Sequence, residues 1–200
     1  MKRLRNPKAT RKAILDAAFE RMHAHGFRAS GLNDILAATG VTKGALYHHF
    51  PSKMALGYAV VEEPLKGYLE KWWLDPLEGA EDPIEALAQS IQRRLSTGRD
   101  AVVGLGCPLN NLVQEMSPVD KGFRLRLDTL YRLWRKGVAR ALRNGQQHGH
   151  VRGDLDTEQA SAFIVAALEG AFGQAKAAQS LDVFQDCMGG LGNYLSSLRP

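Results

Sequence analysis

Three sets of residues in this chain carry side chains in a pattern that chemistry can use. The first is the run VTKGALYHHFPSK, Val41 to Lys53. Thr42 can cap a short helix that ends before Pro51, and Ser52 can cap the next one. The outward face of that helix (Lys43, Gly44, Tyr47, His48) is polar and cationic and suits a polyanion better than a protein core. The second is Cys107, in a Gly-Cys-Pro turn that opens a predicted helix. Backbone N–H groups and the helix dipole favour a thiolate there, so Cys107 is either a reactive thiol or an inert core cysteine. The third is the six histidines, which come as the pairs His23/His25, His48/His49 and His148/His150. Neighbours one or two apart on a helix point away from each other. Only the loop pair His148/His150 can converge on a metal, and it lacks further Cys or carboxylate ligands, so no metal site and no cofactor is expected.

A helix as short as the one after Thr42 cannot hold itself together and needs neighbours. Ile14, Ala17, Ala18, Phe19 and Met22 recur at helical spacing from Thr10 and stop at Gly26. Ser30 reads as the cap of a second helix whose inward residues are Leu32, Ile35 and Leu36, ending at Gly40. Residues 1–9, basic and containing Pro7, read as a flexible arm. Two short helices joined by a glycine turn and backed by a longer one form a helix-turn-helix layout over 31–50. This sets a domain over 10–56 and a second over 57–200.

Charge supports that division. The chain carries +5 overall, but Met1 to Lys53 holds ten Lys/Arg against three Asp/Glu, a balance of +7 that leaves −2 for the rest. A basic head on a mildly acidic body points to one polyanion-binding end. Membrane surface is the rival reading, and the head lacks the apolar face that an interfacial helix needs. Two cysteines suggest a reducing compartment, and no apolar stretch suggests a signal peptide or a span, so a cytoplasmic protein is expected.

Beyond Ser52 every periodic stretch is helical, and the predicted fold is all-α. An apolar helix runs to about Trp73 and must kink or split at Pro64. Further helices are expected over 84–96 and 108–116, with a loose stretch between Gly98 and Gly106. Residues 119–148 carry the stripe Phe123, Leu127, Leu130, Tyr131, Trp134, Val138, Ala141 and Leu142 opposite an arginine-rich face. Asp156 and Gln159 can form a capping box for a helix over 157–178, and a last helix covers 182–198.

The stretch from Thr10 to Leu56 resembles the N-terminal domain of TetR-family transcriptional repressors. The resemblance rests on RKAILDAAFERMHAHGF, Ser30, Asn33-Asp34-Ile35, the run Gly40 to Phe50, and Ser52-Lys53. One departure is Leu36, where the family commonly has Ala. The resemblance implies that Thr42, Tyr47, His48 and Lys53 contact phosphates and that Lys43, Gly44 and Ala45 lie nearest the base edges. Ser30 and Asn33 are further phosphate candidates. It also implies double-stranded operator DNA as partner. Physical chemistry agrees for Thr42 and Lys53, which sit at helix N-termini, and for Gly44, which permits close approach to the groove.

One small head reads few base pairs, so a homodimer on a near-palindrome is expected. Ala166, Gly170, Gly173 and Ala177 form a small-residue stripe on the penultimate helix. Together with Phe184, Leu191 and Leu195 they are the candidate dimer surface, the alternative being close packing within one protomer. The body then reads as a sensor. Trp72, Leu112, Met116, Tyr131, Trp134, Phe163, Glu169 and Phe172 are candidates to line an effector pocket or, for each, to be plain core. The segments GCPLNNLVQEM, WRKGVARAL and EGAFGQAKAAQS are similar to a branch of the family that includes regulators of the NemR and AcuR kind. That similarity implies Cys107 as a sensing thiol, Lys176 as its cationic neighbour, and a small-molecule or electrophilic effector. Two other classes stay open: an effector-independent regulator or activator, and an enzyme using Cys107 as nucleophile, for which no base is identifiable from the sequence.

Overall fold

The computed structural model describes residues 6–97 and 99–200, and every regular element among them is helical. The chain folds as two compact units, one holding residues up to Gly67 together with Pro108–Asp128, the other Tyr68–Cys107 together with Thr129–Pro200. The first unit thus extends past residue 56 and recruits a later segment, which differs from the expected division at 56/57.

In the first unit α1 spans Pro7–Ala29. The Asn6 side chain accepts from the Lys8 N–H at 3.0 Å and Pro7 occupies the first helical position, so the helix starts before Thr10 and residues 6–9 are not an arm. Residues 1–5 of the expected arm lie outside the described residues. Gly26 (φ 82°, ψ 167°) breaks α1, as the glycine suggested, and Phe27 beyond it is buried. The freed N–H groups of Phe27 and Arg28 both donate to the Glu115 carboxylate, at 2.7 and 2.8 Å. Helix α2 spans Leu32–Thr39 with Gly31, not Ser30, as its N-cap. Ser30 is fully buried and its hydroxyl donates back to the Gly26 carbonyl at 2.6 Å. Gly40 closes α2 in the left-handed conformation, φ 65°.

Helices α3 (Lys43–His49) and α4 (Lys53–Val60) follow, capped by Thr42 and Ser52 accepting from the N–H groups of Ala45 and Ala55. Pro64 falls in a wide helical turn over Val61–Leu65. Proline cannot donate to the turn before it, and local widening accommodates its ring without ending the helical path, which continues as α5, Lys66–Leu69. Ile14, Ala18, Met22, Ile35, Leu46, Leu56, Val60 and Phe123 form the core of this unit. Its later residues come from α8 (Pro108–Met116) and the start of α9 (Lys121–Gln147).

The second unit begins with the end of α5 and a wide turn, Glu70–Leu74. It continues with α6 (Pro83–Thr97) and α7 (Arg99–Gly104), the latter where a loose segment was expected. The rest of α9 follows. Asp156 caps α10 (Thr157–Ala178), accepting from Glu158 and Gln159 N–H at 3.0 Å each, and α11 spans Leu181–Ser196. The predicted stripe of α9 is buried, with Tyr131 half-buried, and Arg124, Arg132, Arg140 and Arg143 lie exposed on the other side.

Candidate functional site

The first unit presents α3 outward. Leu46 is buried, and Thr42, Lys43, Gly44, Tyr47 and His48 are exposed, with Ala45 half-buried. Nothing would lie within 4 Å of a Cβ on Gly44, so a flat approach to this face is open. The Lys43 ammonium hovers 6.0 Å from the centre of the Tyr47 ring, and both face solvent. Asn33 is exposed on α2. Lys53 is half-buried. Its Nζ donates to the Arg28 carbonyl at 2.9 Å and lies 4.9 Å from the Phe27 ring, which fixes the ammonium at the start of α4. An ammonium has three protons, so this leaves donors for a phosphate. Ser30 has no such option. With its side chain buried and its hydroxyl committed to Gly26, it is withdrawn from the phosphate candidates.

The second unit holds a buried polar cluster. Cys107, 3% exposed, places its thiol 3.2 Å from Oε1 of Glu169, itself 7% exposed. Burial pushes the Glu169 carboxyl up to about 7, against the opposing effect of hydrogen bonds from Cys107 and Tyr131. The Tyr131 hydroxyl is raised far above the tyrosine range, chiefly by burial and then by Glu169. Burial likewise pushes Tyr68 up to about 12, and the adjacent Arg94 opposes the shift. Arg94, 4% exposed, sits 5.3 Å from the Trp72 ring and 5.9 Å from Phe172. Behind this group Trp73 stacks on Trp134 at 5.4 Å and meets Phe172 edge-on at 6.3 Å. The Trp134 indole N–H is fully buried and has no acceptor among the described residues. The Lys176 stem passes over Gly106, close enough that a Cβ there would stand 3.2 Å from Lys176 Cδ.

Residues 83–189 match the tetracyclin repressor-like C-terminal domain, and residues 14–60 match the bacterial regulatory proteins of the tetR family. The chain belongs to the TetR family. It is 31% identical over 146 residues to the transcriptional repressor DhaR of Mycobacterium sp. strain GP1, spanning 73% of this chain and 72% of that one. It is 28% identical over 167 residues to the transcriptional regulator AcuR of Cereibacter sphaeroides, spanning 82% and 75%. The crystal structure of reduced Escherichia coli NemR superposes with a TM-score of 0.83 at 25% identity, covering 92% of this chain and 96% of that one. Accordingly α2 and α3 are the helix-turn-helix of a DNA-binding transcriptional repressor, and its relatives are regulators rather than enzymes. Among the described residues no helix is long and apolar enough to cross a membrane.

Within that TetR-type body the predicted pocket residues separate. Cys107, Tyr131, Glu169, Trp72, Trp134 and Phe172 belong to the second unit and gather around the cluster, and the exposed Lys176 of the same unit passes its stem beside Gly106. Leu112 and Met116 are buried in the other unit and contribute to its core instead. Phe163, expected to line the pocket, is instead 52% exposed and meets the Tyr194 ring edge-on at 4.6 Å. It shares its helix face with Ala166, Gly170, Gly173 and Ala177, all exposed, and a Cβ on either glycine would meet nothing within 4 Å. Phe184, Leu191 and Leu195, expected at the dimer surface, differ in the opposite sense. They are buried within the protomer, Phe184 against Phe172 at 5.1 Å.

Sequence reasoning missed Arg94 and Tyr68. A signal existed for the first: Arg94 continues the spacing of Leu87 and Ile91, so a charge stood on an apolar stripe.

Proposed function

We propose that this protein is a homodimeric repressor that binds a near-palindromic operator and leaves it when a small electrophilic effector reacts in the body of the second unit. Each head lays α3 in a major groove. Lys43, Gly44 and Ala45 lie nearest the bases, and Thr42, Tyr47, His48, Lys53 and Asn33 reach phosphates. Two heads about one helical turn apart, ~34–36 Å, double the contact. The second copy docks on the exposed face of Phe163, Ala166, Gly170, Gly173 and Ala177, where small residues allow two α10 helices to approach closely. A hydrogen-bond acceptor on the effector would satisfy the Trp134 indole N–H, whose unpaired burial costs about 1–3 kcal/mol. Coupling of ~1–3 kcal/mol between effector and head changes operator affinity 5–150-fold.

The observation that carries the effector reading is the contact between the buried Cys107 thiol and the Glu169 carboxyl. Mobility shifts on the DNA upstream of the protein's own gene test it. Wild type should bind in a salt-sensitive manner and be released by a small α,β-unsaturated carbonyl compound. Cys107→Ser should bind equally and stay bound. Release of both proteins at the same dose would remove Cys107 from the mechanism.

A further inference from the structure

Glu169 stands where the sensing thiol needs a proton acceptor. Its carboxyl meets the Cys107 Sγ directly at 3.2 Å, inside a pair that is almost wholly shielded from water. If Cys107 lost its proton to solvent while Glu169 stayed ionised, two anions would sit side by side in a poorly solvated place. Passing the proton from sulfur to Glu169 avoids this, because one buried negative charge moves between two atoms and none is added. The other groups around the carboxyl favour that exchange. Tyr131, from α9, hydrogen-bonds Glu169 and holds the oxygen in place. Tyr68 ahead of the Glu70–Leu74 turn, Arg94 from α6 and Arg135 from α9 share the local field. Arg94 and Arg135 both favour negative charge in the cluster, and Lys176 stands beside Gly106 on the same helix as Glu169.

Resting on the reading of Cys107 as the effector-sensing thiol, we infer that Glu169 is its proton acceptor and then the proton donor that completes its addition to an α,β-unsaturated carbonyl compound. The Glu169 carboxylate takes the thiol proton as Sγ attacks the β-carbon. The new S–C bond forms, the C=C π bond breaks, and its electrons move onto the carbonyl as an enolate. Glu169 then returns the proton to the α-carbon and is a carboxylate again. Nothing leaves, no oxidant or reductant is consumed, and the product is a stable adduct formed once per thiol. A carboxyl that titrates near neutrality suits both halves of this exchange, since it is neither fully protonated nor a negligible base at physiological pH.

The test follows single-adduct formation by methyl vinyl ketone on the full chain carrying Cys187→Ser, using intact-protein mass spectrometry between about pH 5.5 and pH 9. The rate should show an inflection near pH 7, where Glu169 titrates, and Glu169→Gln should lower it about 10²-fold at pH 7 and abolish that inflection. An unchanged rate and profile in Glu169→Gln would overturn the assignment while leaving Cys107 as the sensing thiol. Release of Cys107→Ser from DNA by the same compound would instead bring down the thiol reading itself, and the assignment with it. Should Glu169→Gln not fold, the profile of the Cys187→Ser protein decides. An inflection near pH 7 supports the role, and a rise with no inflection below that of an unassisted thiol excludes it.

Discussion

Replacing Glu115 by Ala should destabilise the DNA-binding unit by about 2–4 kcal/mol. Gly26 ends the regular part of α1 with a positive φ, so the next N–H groups have no carbonyl one turn back. The Glu115 carboxylate receives both of them, from Phe27 at 2.7 Å and Arg28 at 2.8 Å. Bonds to a charged acceptor contribute about 1.5–3 kcal/mol each. The Phe27 N–H is partly buried and counts in full, whereas the Arg28 N–H is exposed and water replaces much of its bond, which sets the range given. Glu115→Gln keeps one acceptor oxygen but turns an amide NH2 toward the second donor, so about half the loss is expected. Urea unfolding monitored by circular dichroism gives the values. Because the clamp holds the end of α1, whose Arg28 carbonyl fixes Lys53, operator affinity should fall with stability in both variants. A midpoint for Glu115→Ala within the equivalent of ~0.5 kcal/mol of wild type would refute the argument, since it would mean that solvent serves both N–H groups as well as the carboxylate does.

Other perturbations follow from the same geometry. Lys53→Ala should weaken DNA binding and reduce the log–log salt slope by about 0.9 per head, read from mobility shifts across a salt series; an unchanged slope would remove Lys53 from the phosphate contacts. Gly57→Ala should cost about 1–3 kcal/mol, since its new methyl would lie 2.5 Å from the Phe27 ring and 2.6 Å from Phe123, and a neutral effect in thermal melts would show that both rings can yield. For Glu169 the folded carboxyl is raised to about 7, so the folded state binds the proton more tightly than the unfolded one. Its contribution is therefore harmless below the unfolded value and increasingly destabilising as pH rises toward 7. Glu169→Gln should match wild type near pH 4 and exceed it at pH 8, by a margin on the order of 3 kcal/mol; equal pH dependence of the two melting curves would contradict the shift. Gly170→Glu should leave the protomer folded yet monomeric by analytical ultracentrifugation, and a persistent dimer would move the interface elsewhere.

How far the sequence could be read depended on whether the deciding signal was local. Thr42, Ser52 and Gly40 act within a turn of their own positions, so the short α3 and its exposed face were legible from residue types alone. The break at Gly26 was legible for the same reason. Ser30 was not, because a serine one residue from a helix start can cap forward or bond backward. The choice is made by burial: its side chain points into the core, where the Gly26 carbonyl is the acceptor it reaches.

Longer-range questions were decided by which face meets which neighbour, and periodicity does not name the neighbour. Phe184, Leu191 and Leu195 have the spacing of an interface and of a core alike, and within the protomer all three are buried, Phe184 against Phe172 of α10. Phe163 has the composition of a core residue but the register of Ala166, Gly170 and Gly173, and like them it is exposed. Cys107 and Glu169 were each singled out separately. Only folding reveals that they touch, because sixty-two positions separate them and neither spacing nor charge pattern links a turn before α8 to the inner face of α10. Arg94 shows what such a cluster adds to an apolar stripe: a guanidinium among Trp72, Phe172 and Tyr68 is tolerable where polar side chains share the space, and those partners come from three different elements. A charge on a buried stripe is therefore a sequence-level pointer to a polar interior, and in this chain it points to the same place as the thiol.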